Sequence, residues 1–256
     1  MNIIVPGRYF AMVTFLVFSG VILSNMRKAK SGRPIEMRSI PAYDSLSEAI
    51  GRAVEMGKPV HFTPGKYEIT VEMMAGLQAL RFASSVVAKY DADMIVTTGR
   101  GDTYTVADAI VKETFSEAGK SDAYKPDMVR YLSDNQFAFA SGVMGILSRE
   151  RVAANIMIGQ FAAESLLLSE AGYSVGAVQI AATAQVYQLP FFVAACDYVA
   201  IGEELFAADA YFTGNPVSLG CLRGQDIAKA ISMSLIILGV ILRTFGSDAI
   251  LTLMKK

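Results

Sequence analysis

The sequence predicts an α/β domain with a parallel sheet, flanked by a hydrophobic membrane helix towards each end of the chain. Short apolar runs alternate with helical patterns through the middle of the chain, which is typical of βαβ units. Two of these runs, VAANIMI at 152–158 and VGAVQIA at 175–181, are almost continuously apolar. Strands buried on both faces of a parallel sheet have this character, so we expect a layered, Rossmann-like domain.

Composition narrows the class of protein. Of the 256 residues, 53% are hydrophobic and 18% are charged, whereas charged residues make up about 25% of a typical soluble domain. A disordered chain is excluded, because disorder requires low hydrophobicity and high charge. The net charge of −1 gives no reason to expect a nucleic-acid partner. Two cysteines and one histidine cannot build a disulfide framework or a four-ligand zinc site, so we predict no metal, and no cofactor can be named.

An N-terminal membrane anchor is predicted at residues 1–26. Tyr9 to Met26 is a run of eighteen residues without a charge, close to the roughly 20 that span a bilayer as a helix. Arg8 precedes it, and a basic linker at residues 27–43 follows. This asymmetry predicts an outside N-terminus and a cytoplasmic domain at the cell membrane, and it argues against a cleaved signal peptide.

The C-terminal hydrophobic segment, residues 227–256, leaves two readings open. Its apolar run Ala230–Leu242 has thirteen residues, about 20 Å as a helix, which is short for a core of about 30 Å. Snorkelling of Lys229 and Arg243 would lengthen a second span. A re-entrant or interfacial helix is the alternative. The α/β domain is predicted at residues 44–226, between the linker and this segment.

The pattern within the domain predicts each element in turn. An N-cap and an early acid begin the first helix, glycines end several helices, and apolar residues at a spacing of three or four mark the second helix. The predicted strands are Pro59–Thr63, Asp93–Thr97, Val152–Ile158, Val175–Ala181 and Pro190–Cys196, and the helices are Asp44–Met56, one within Glu68–Lys89, one ending near Ala118, Asn135–Arg149, Gln160–Ala171 and Ile201–Tyr211.

Ligands of open parallel sheets bind beyond the carboxyl ends of the strands, so the loops there supply the candidate site. After the second strand, two glycines and a cation indicate an anion-binding loop: Thr97, Thr98, Gly99, Arg100 and Gly101. The loop matches no nucleotide-binding fingerprint. The alternative is a glycine turn in which Asp102 or Thr103 caps the next helix.

Polar residues near later strands extend this candidate ligand site. Thr183 and Gln185 follow one strand, and Asp197, Glu203 and Glu204 follow the next. The three acids are read either as a carboxylate cluster for a cation or acid–base work, or as support for a helix dipole. His61 is read as a satisfied core histidine or as a catalytic base. No catalytic residue can be assigned.

Several long segments carry a family resemblance: VHFTPG at 60–65, AANIMIGQFAAESLLLSEAG at 153–172, GAVQIAATAQVYQLPFFVAACDYVAIGEELFAADAYF at 176–212 and LGCLRGQD at 219–226. They resemble a family of uncharacterised prokaryotic membrane-anchored proteins, over roughly residues 44–242. The resemblance implies an N-terminal anchor, an α/β domain, an apolar C-terminal segment and a shared site, but no mechanism. The motif polar residues it carries over are His61, Asn155, Glu164, Gln179, Thr183, Asp197, Glu203 and Glu204.

Two functions follow from the sequence. The first is a membrane-anchored cytoplasmic binding or scaffold module that self-associates or joins other membrane-complex subunits. It rests on the apolar ends and on small residues such as Gly142, Gly145 and Ala162, which serve either tight internal packing or an oligomer surface. The second is an enzyme or sensor that binds a small anionic or polar metabolite at the strand ends.

Overall fold

A computed structural model describes residues 8–32, 35 and 37–254. Residues 1–7 of the predicted anchor, Arg33, Pro34 and Glu36 of the basic linker, and the terminal Lys255 and Lys256 lie outside the described residues. The chain forms two compact units. One is the continuous segment Arg38–Phe212, and the other combines Met1–Met37 with Thr213–Lys256.

The first unit contains a six-stranded sheet in which every neighbouring pair is parallel. The strands are β1 (Val60–Gly65), β2 (Met94–Thr98), β3 (Val129–Tyr131), β4 (Ala154–Gln160), β5 (Val178–Thr183) and β6 (Tyr198–Ile201). Their order in the sheet is β3-β2-β1-β4-β5-β6, so the direction of winding reverses between β1 and β4. The predicted α/β fold with a parallel sheet and apolar helices towards both ends is confirmed.

Ten α-helices complete the described chain: α1 (Tyr9–Lys30), α2 (Pro41–Glu55), α3 (Val71–Tyr90), α4 (Gly101–Glu117), α5 (Gln136–Glu150), α6 (Glu164–Ser174), α7 (Leu189–Ala195), α8 (Ala208–Thr213), α9 (Pro216–Thr244) and α10 (Ala249–Met254). Short 3-10 turns cover Ser121–Ala123, Pro126–Met128 and Gly202–Ala207. Helices α5, α6 and α7 enclose a core on one face of the sheet, where the rings of Phe161 and Phe192 meet edge to face with centroids 5.4 Å apart.

The predicted strand Pro190–Cys196 is wrong, because Leu189–Ala195 is helix α7. Pro190 occupies the first turn of this helix, where its fixed φ and missing N–H are tolerated. A short apolar run cannot be assigned to strand or helix by periodicity alone. The strand is instead Tyr198–Ile201, and the predicted helix Ile201–Tyr211 is a 3-10 turn followed by α8. The three-residue strand β3 was not predicted.

Helices α1 and α9 of the second unit, with 22 and 29 residues, are each long and apolar enough to span a membrane. They pack against each other at two glycines of α9. A Cβ on Gly220 would lie 2.6 Å from Met26 Cα, and a Cβ on Gly224 would lie 2.6 Å from Ile22 Cα. As residue numbers fall along α1 while they rise along α9, the two helices are antiparallel.

The C-terminal segment forms the end of one long helix and a second, short helix. The apolar run at 230–242 belongs to a longer continuous helix that already begins at Pro216. After Gly246, with a φ of +83°, α10 folds back against α9, and a Cβ on Gly239 would lie 3.7 Å from Ile250 Cγ2. The sequence signal for the helix pair is the four-residue spacing of Gly220, Gly224 and Ala228, which is typical of close packing between membrane helices.

Candidate functional site

A polar crevice lies at the carboxyl ends of the strands in the α/β unit. Its volume is about 240 Å³, and it is lined by Lys66, Tyr67, Glu68, Thr70, Arg100, Asp134 and Gln160. These residues belong to the segments that follow β1, β2 and β3 and to the end of β4. Ligands of open parallel sheets bind where the strand order reverses, here between β1 and β4. The crevice therefore occupies the position expected of a ligand site.

Glycines allow the loops around the crevice to approach each other. A Cβ on Gly99 would lie only 2.2 Å from Lys66 Cβ, so the absence of a side chain brings the loop after β2 onto the loop after β1. A Cβ on Gly65 would lie 2.1 Å from the carbonyl oxygen of Gln160. Gly65 also has a φ of +100°, a conformation that other residues rarely adopt. The walls of the crevice thus depend on residues without side chains.

The crevice carries both signs of charge. An Nη2 nitrogen of Arg100 donates to Asp102 Oδ2 at 3.1 Å, and a second guanidinium nitrogen lies 3.9 Å from Glu68 Oε1. The hydrogen bonds from Arg100 lower the pKa of Asp102. The ammonium group of Lys66 lies 4.7 Å from the centre of the Tyr67 ring. Such a mixture fits a ligand with an anionic group and additional hydrogen-bonding groups.

A capping residue closes one side of this crevice. Thr70 Oγ1 accepts a hydrogen bond from the backbone N–H of Met73 in the first turn of α3, and it donates to Gln160 Oε1 at 3.1 Å. This contact joins the start of α3 to the end of β4. It fixes the Gln160 side chain at the crevice wall, where its amide nitrogen remains a donor for a ligand.

A buried carboxylate lies close to the crevice. Glu164, 1% exposed, accepts hydrogen bonds from Gln136 Nε2 at 2.6 Å and from the backbone N–H of Ala162 at 3.1 Å. Burial of the phenol, followed by the charge of Glu164 and the proximity of Tyr187, raises the pKa of Tyr67 to about 12. Tyr67 therefore stays protonated and remains a hydrogen-bond donor at neutral pH.

A ladder of polar side chains crosses the interior of the sheet. His61 Nε2 lies 2.9 Å from Thr97 Oγ1, and His61 Nδ1 lies 2.7 Å from Asn155 Oδ1. Asn155 Nδ2 donates to Gln179 Oε1 at 3.0 Å, and Gln179 Nε2 donates to the carbonyl oxygen of Ala195 at 2.7 Å. Burial of the imidazole is the main effect that lowers the pKa of His61 to about 4. His61 is thus a neutral, fully hydrogen-bonded core residue.

The structure separates the residues that sequence predicted for one site. Arg100 lines the crevice, with Gly99 and Gly101 beside it. Thr97 and Asn155 belong to the buried ladder. Gln185, which follows Thr183 at the end of β5, donates to both carboxylate oxygens of Glu72 at 2.8 Å. Thr98 is fully buried, and its Oγ1 is the one buried side-chain nitrogen or oxygen without a hydrogen-bond partner in the part of the chain that the structure describes.

The three acids of the predicted cluster lie at opposite ends of the strands. Asp197 precedes β6 instead of following a strand, and its Oδ2 accepts from the backbone N–H of Gln179 at 2.7 Å. Asp197 therefore lies at the amino ends of the strands, and the predicted position at the carboxyl end of a strand is wrong. Glu203 and Glu204 follow β6, and Glu204 is hydrogen-bonded to Arg38 and to the backbone N–H of Ile201. Within the described ranges no three His, Cys, Asp or Glu side chains gather as metal ligands would.

Most of the crevice was missed at the level of sequence. Lys66, Tyr67, Glu68 and Thr70 follow β1, and Gln160 ends β4. The signal for them was the same strand-end rule that indicated Arg100. After β1, however, the dipeptide Pro64-Gly65 is typical of a simple turn.

Comparison with known proteins identifies one family. The model of the family described as Domain of unknown function (DUF6754) matches residues 1–254. No curated protein and no solved structure matches the chain.

Proposed function

Because the chain belongs to the DUF6754 family, which defines no activity, we propose a function from the geometry of the molecule. The α/β unit binds a small polar metabolite with a phosphate or carboxylate group, and the two long helices hold this unit at the membrane. The observation that carries the proposal is the crevice between the ends of β1, β2 and β4, lined by Lys66 and Arg100.

The sheet topology supports a ligand at this position. The strand order β3-β2-β1-β4-β5-β6 reverses between β1 and β4, and ligands of open parallel sheets bind at such a reversal. The segment Pro64-Gly65-Lys66 at the end of β1 lacks the glycine-rich fingerprint of dinucleotide-binding proteins. The crevice, at about 240 Å³, lies below the 300–1,000 Å³ usual for drug-sized ligands, so it fits a small metabolite.

The charges around the helix pair support a cytoplasmic position for the α/β unit. Because α1 and α9 are antiparallel, the end of α1 and the start of α9, which both connect to this unit, lie on the same side of the pair. Arg27, Lys28 and Lys30 stand at that end of α1. Basic residues next to a membrane span favour the cytoplasmic side.

The scaffold function predicted from small residues has weaker support in the α/β unit. A Cβ on Gly142 would lie 3.1 Å from Leu132 Cδ1, so Gly142 serves packing inside the unit. The small size of this residue is explained without an oligomer.

A thermal-shift titration of the full-length protein in detergent tests the proposal. The probes are inorganic phosphate, sugar phosphates, mononucleotides and dicarboxylates. A ligand at 100 times its Kd stabilises the folded protein by about 2.7 kcal/mol. Arg100→Met and Lys66→Met should each remove the shift, whereas Lys112→Met, an exposed lysine on α4, should retain it. A shift that survives both crevice variants would place the ligand elsewhere, and no shift with any probe would refute the proposal.

A further inference from the structure

Helices α1 and α9 touch closely along one part of their length and enclose a cavity along another. A Cβ on Gly220 or on Gly224 would lie 2.6 Å from the backbone of α1. Further along α9, a cavity of about 560 Å³ opens between α1, the C-terminal half of α9 and α10. This volume lies within the range of roughly 300–1,000 Å³ that is usual for ligand sites.

The wall of this cavity is one continuous surface on each long helix. On α1 it is formed by Phe10, Thr14 and Phe18, at a spacing of four residues. On α9 the lining residues between Ser232 and Thr244 follow the repeat i, i+3, i+4, i+7. Residues at these spacings lie on the same side of a helix, so both sets face the same space.

The wall offers hydrocarbon contacts and few hydrogen-bonding groups. Thr14, Ser232 and Thr244 each donate to the carbonyl oxygen four residues earlier in their own helix, at 2.9, 3.0 and 2.9 Å. Apart from Arg243, the remaining lining residues are apolar. A polar metabolite would lose its hydrogen bonds to water here without replacing them, so the wall fits a hydrocarbon chain.

An ion pair lies at one end of the cavity. Arg243 belongs to the wall, and its Nη1 donates to Asp248 Oδ1 in the turn before α10. The two side chains are 61% and 52% exposed. A guanidinium has five N–H donors and a carboxylate has about four acceptor positions. One mutual contact therefore leaves donors of Arg243 and acceptors of Asp248 for a ligand.

The position of the cavity along the helices agrees with a lipid as the ligand. Its α1 residues lie within the uncharged run 9–26, and most of its α9 residues lie within the uncharged run 230–242. Arg243 follows this run directly. Charged residues next to an apolar span lie at the level of the lipid head groups. The cavity would thus lie in the hydrocarbon layer and the ion pair at its boundary.

We propose that this cavity binds a phospholipid with a zwitterionic head group. One hydrocarbon chain lies against the wall, the phosphate contacts Arg243, and the ammonium group contacts Asp248. Hydrocarbon surrounds the helices in a membrane anyway, so burial of the chain selects no particular lipid. The ion pair selects it, because Asp248 attracts an ammonium group and repels a purely anionic head group. The proposal rests on the membrane position of α1 and α9 in the proposed function, but not on the ligand of the crevice.

Lipid retention tests the proposal in the full-length protein. The protein is reconstituted in liposomes of equimolar phosphatidylethanolamine and phosphatidylglycerol with identical acyl chains, extracted in mild detergent and studied by native mass spectrometry. The wild type should retain one lipid per chain, with phosphatidylethanolamine enriched about fivefold, as expected of exposed charge pairs. Asp248→Asn should lower this enrichment to about 1, and Arg243→Gln should lower the total retained lipid about fivefold.

A matched pair of variants tests whether the lipid occupies the cavity. Ser232→Phe fills the cavity and should abolish retention. Met233→Phe places the same side chain at the next residue, which is 62% exposed and outside the wall, and should retain lipid like the wild type. Circular dichroism shows whether each variant keeps its helices.

Equal retention of the two lipids by the wild type would overturn the proposal, and so would selective retention that survives Ser232→Phe. A protein that stays in the liposomes but retains no lipid would also overturn it, while the membrane position of the helices would stand. A protein that an alkaline wash removes from the liposomes would refute the membrane position itself, and the lipid site with it.

Discussion

His61 Nδ1 lies 2.7 Å from Asn155 Oδ1. The two residues are in register on the neighbouring strands β1 and β4, and both are completely buried. Since the amide oxygen can only accept, the hydrogen bond assigns the proton to Nδ1, and Nε2 then accepts from Thr97. With its oxygen facing His61, Asn155 turns its amide nitrogen towards Gln179 and donates to Gln179 Oε1. A single orientation of every group satisfies this ladder across four strands, which fixes their register as well as their order.

Asn155→Leu should destabilise the protein by about 2–4 kcal/mol. The substitution removes the acceptor of His61 Nδ1 and the donor to Gln179 Oε1, and each buried polar group left without a partner costs about 1–3 kcal/mol. Thermal or urea unfolding of the full-length protein measures the change. Gln78→Leu on the half-buried side of α3 is a control that should change stability little. An Asn155→Leu protein as stable as the wild type would contradict a structural role of the ladder.

The stability of the α/β unit should fall as the pH falls from about 6.5 to 4. The pKa of His61 is about 4 in the folded protein, against an ordinary value of 6.5. In this window the unfolded chain binds a proton that the folded chain does not, so acid favours unfolding. The full effect is about 3 kcal/mol at 1.36 kcal/mol per pKa unit.

Carboxylates also titrate below pH 5, so the comparison uses a His61→Gln variant measured between pH 5 and 6.5. The slope of unfolding free energy against pH should be steeper for the wild type than for the variant. Equal slopes would show that His61 is not held neutral by burial.

Gly172→Ala should destabilise the protein by about 1–3 kcal/mol, although alanine favours helices. The added Cβ would lie 2.2 Å from Gln179 Oε1 and 2.7 Å from Asn155 Nδ2, where α6 packs over the ladder. Gly51→Ala is a matched control in the middle of α2, where a Cβ meets no atom within 4 Å. That control should be neutral or stabilising by up to about 1 kcal/mol. The same response from both variants would argue against close packing of α6 on the ladder.

The ladder shows how far sequence reasoning could reach. Apolar runs located β1, β4 and β5, and the single histidine was read either as a satisfied core residue or as a catalytic base. The contacts of His61 depend on which strands are neighbours and on their register, and neither property is encoded in a local pattern. The sequence predicts a strand where helix α7 lies for a related reason, because a short apolar run of 7 residues fits either structure. Because the run before Asp197 is helix α7 and not a strand, Asp197 does not lie at the carboxyl end of a strand, where the sequence places it.

Gly99→Ala should weaken ligand binding in the crevice at least tenfold, since its Cβ would lie 2.2 Å from Lys66 Cβ and 2.8 Å from Lys66 Cα. Backbone and a β-carbon cannot move aside as the end of a side chain can, so the loop that carries Lys66 and Tyr67 has to shift. Gly101→Ala, two residues later, meets no atom within 4 Å and is the control. Titration of the probe that shifts the wild-type melting temperature measures both variants. Equal affinities would separate the crevice from the ligand.

A membrane span by α9 predicts that the chain before α9 and the turn after it lie on opposite sides of the membrane. Single cysteines are placed at Ser121 in the α/β unit and at Ser247 between α9 and α10, both exposed, after replacement of Cys196 and Cys221 by serine. A membrane-impermeant thiol reagent added to intact cells should label Ser247→Cys and leave Ser121→Cys unlabelled. Permeabilised cells should label both, which controls for accessibility. Labelling of both positions from one side would show that α9 does not cross the membrane, while labelling of Ser121→Cys alone would place the α/β unit outside, against the basic residues at the end of α1.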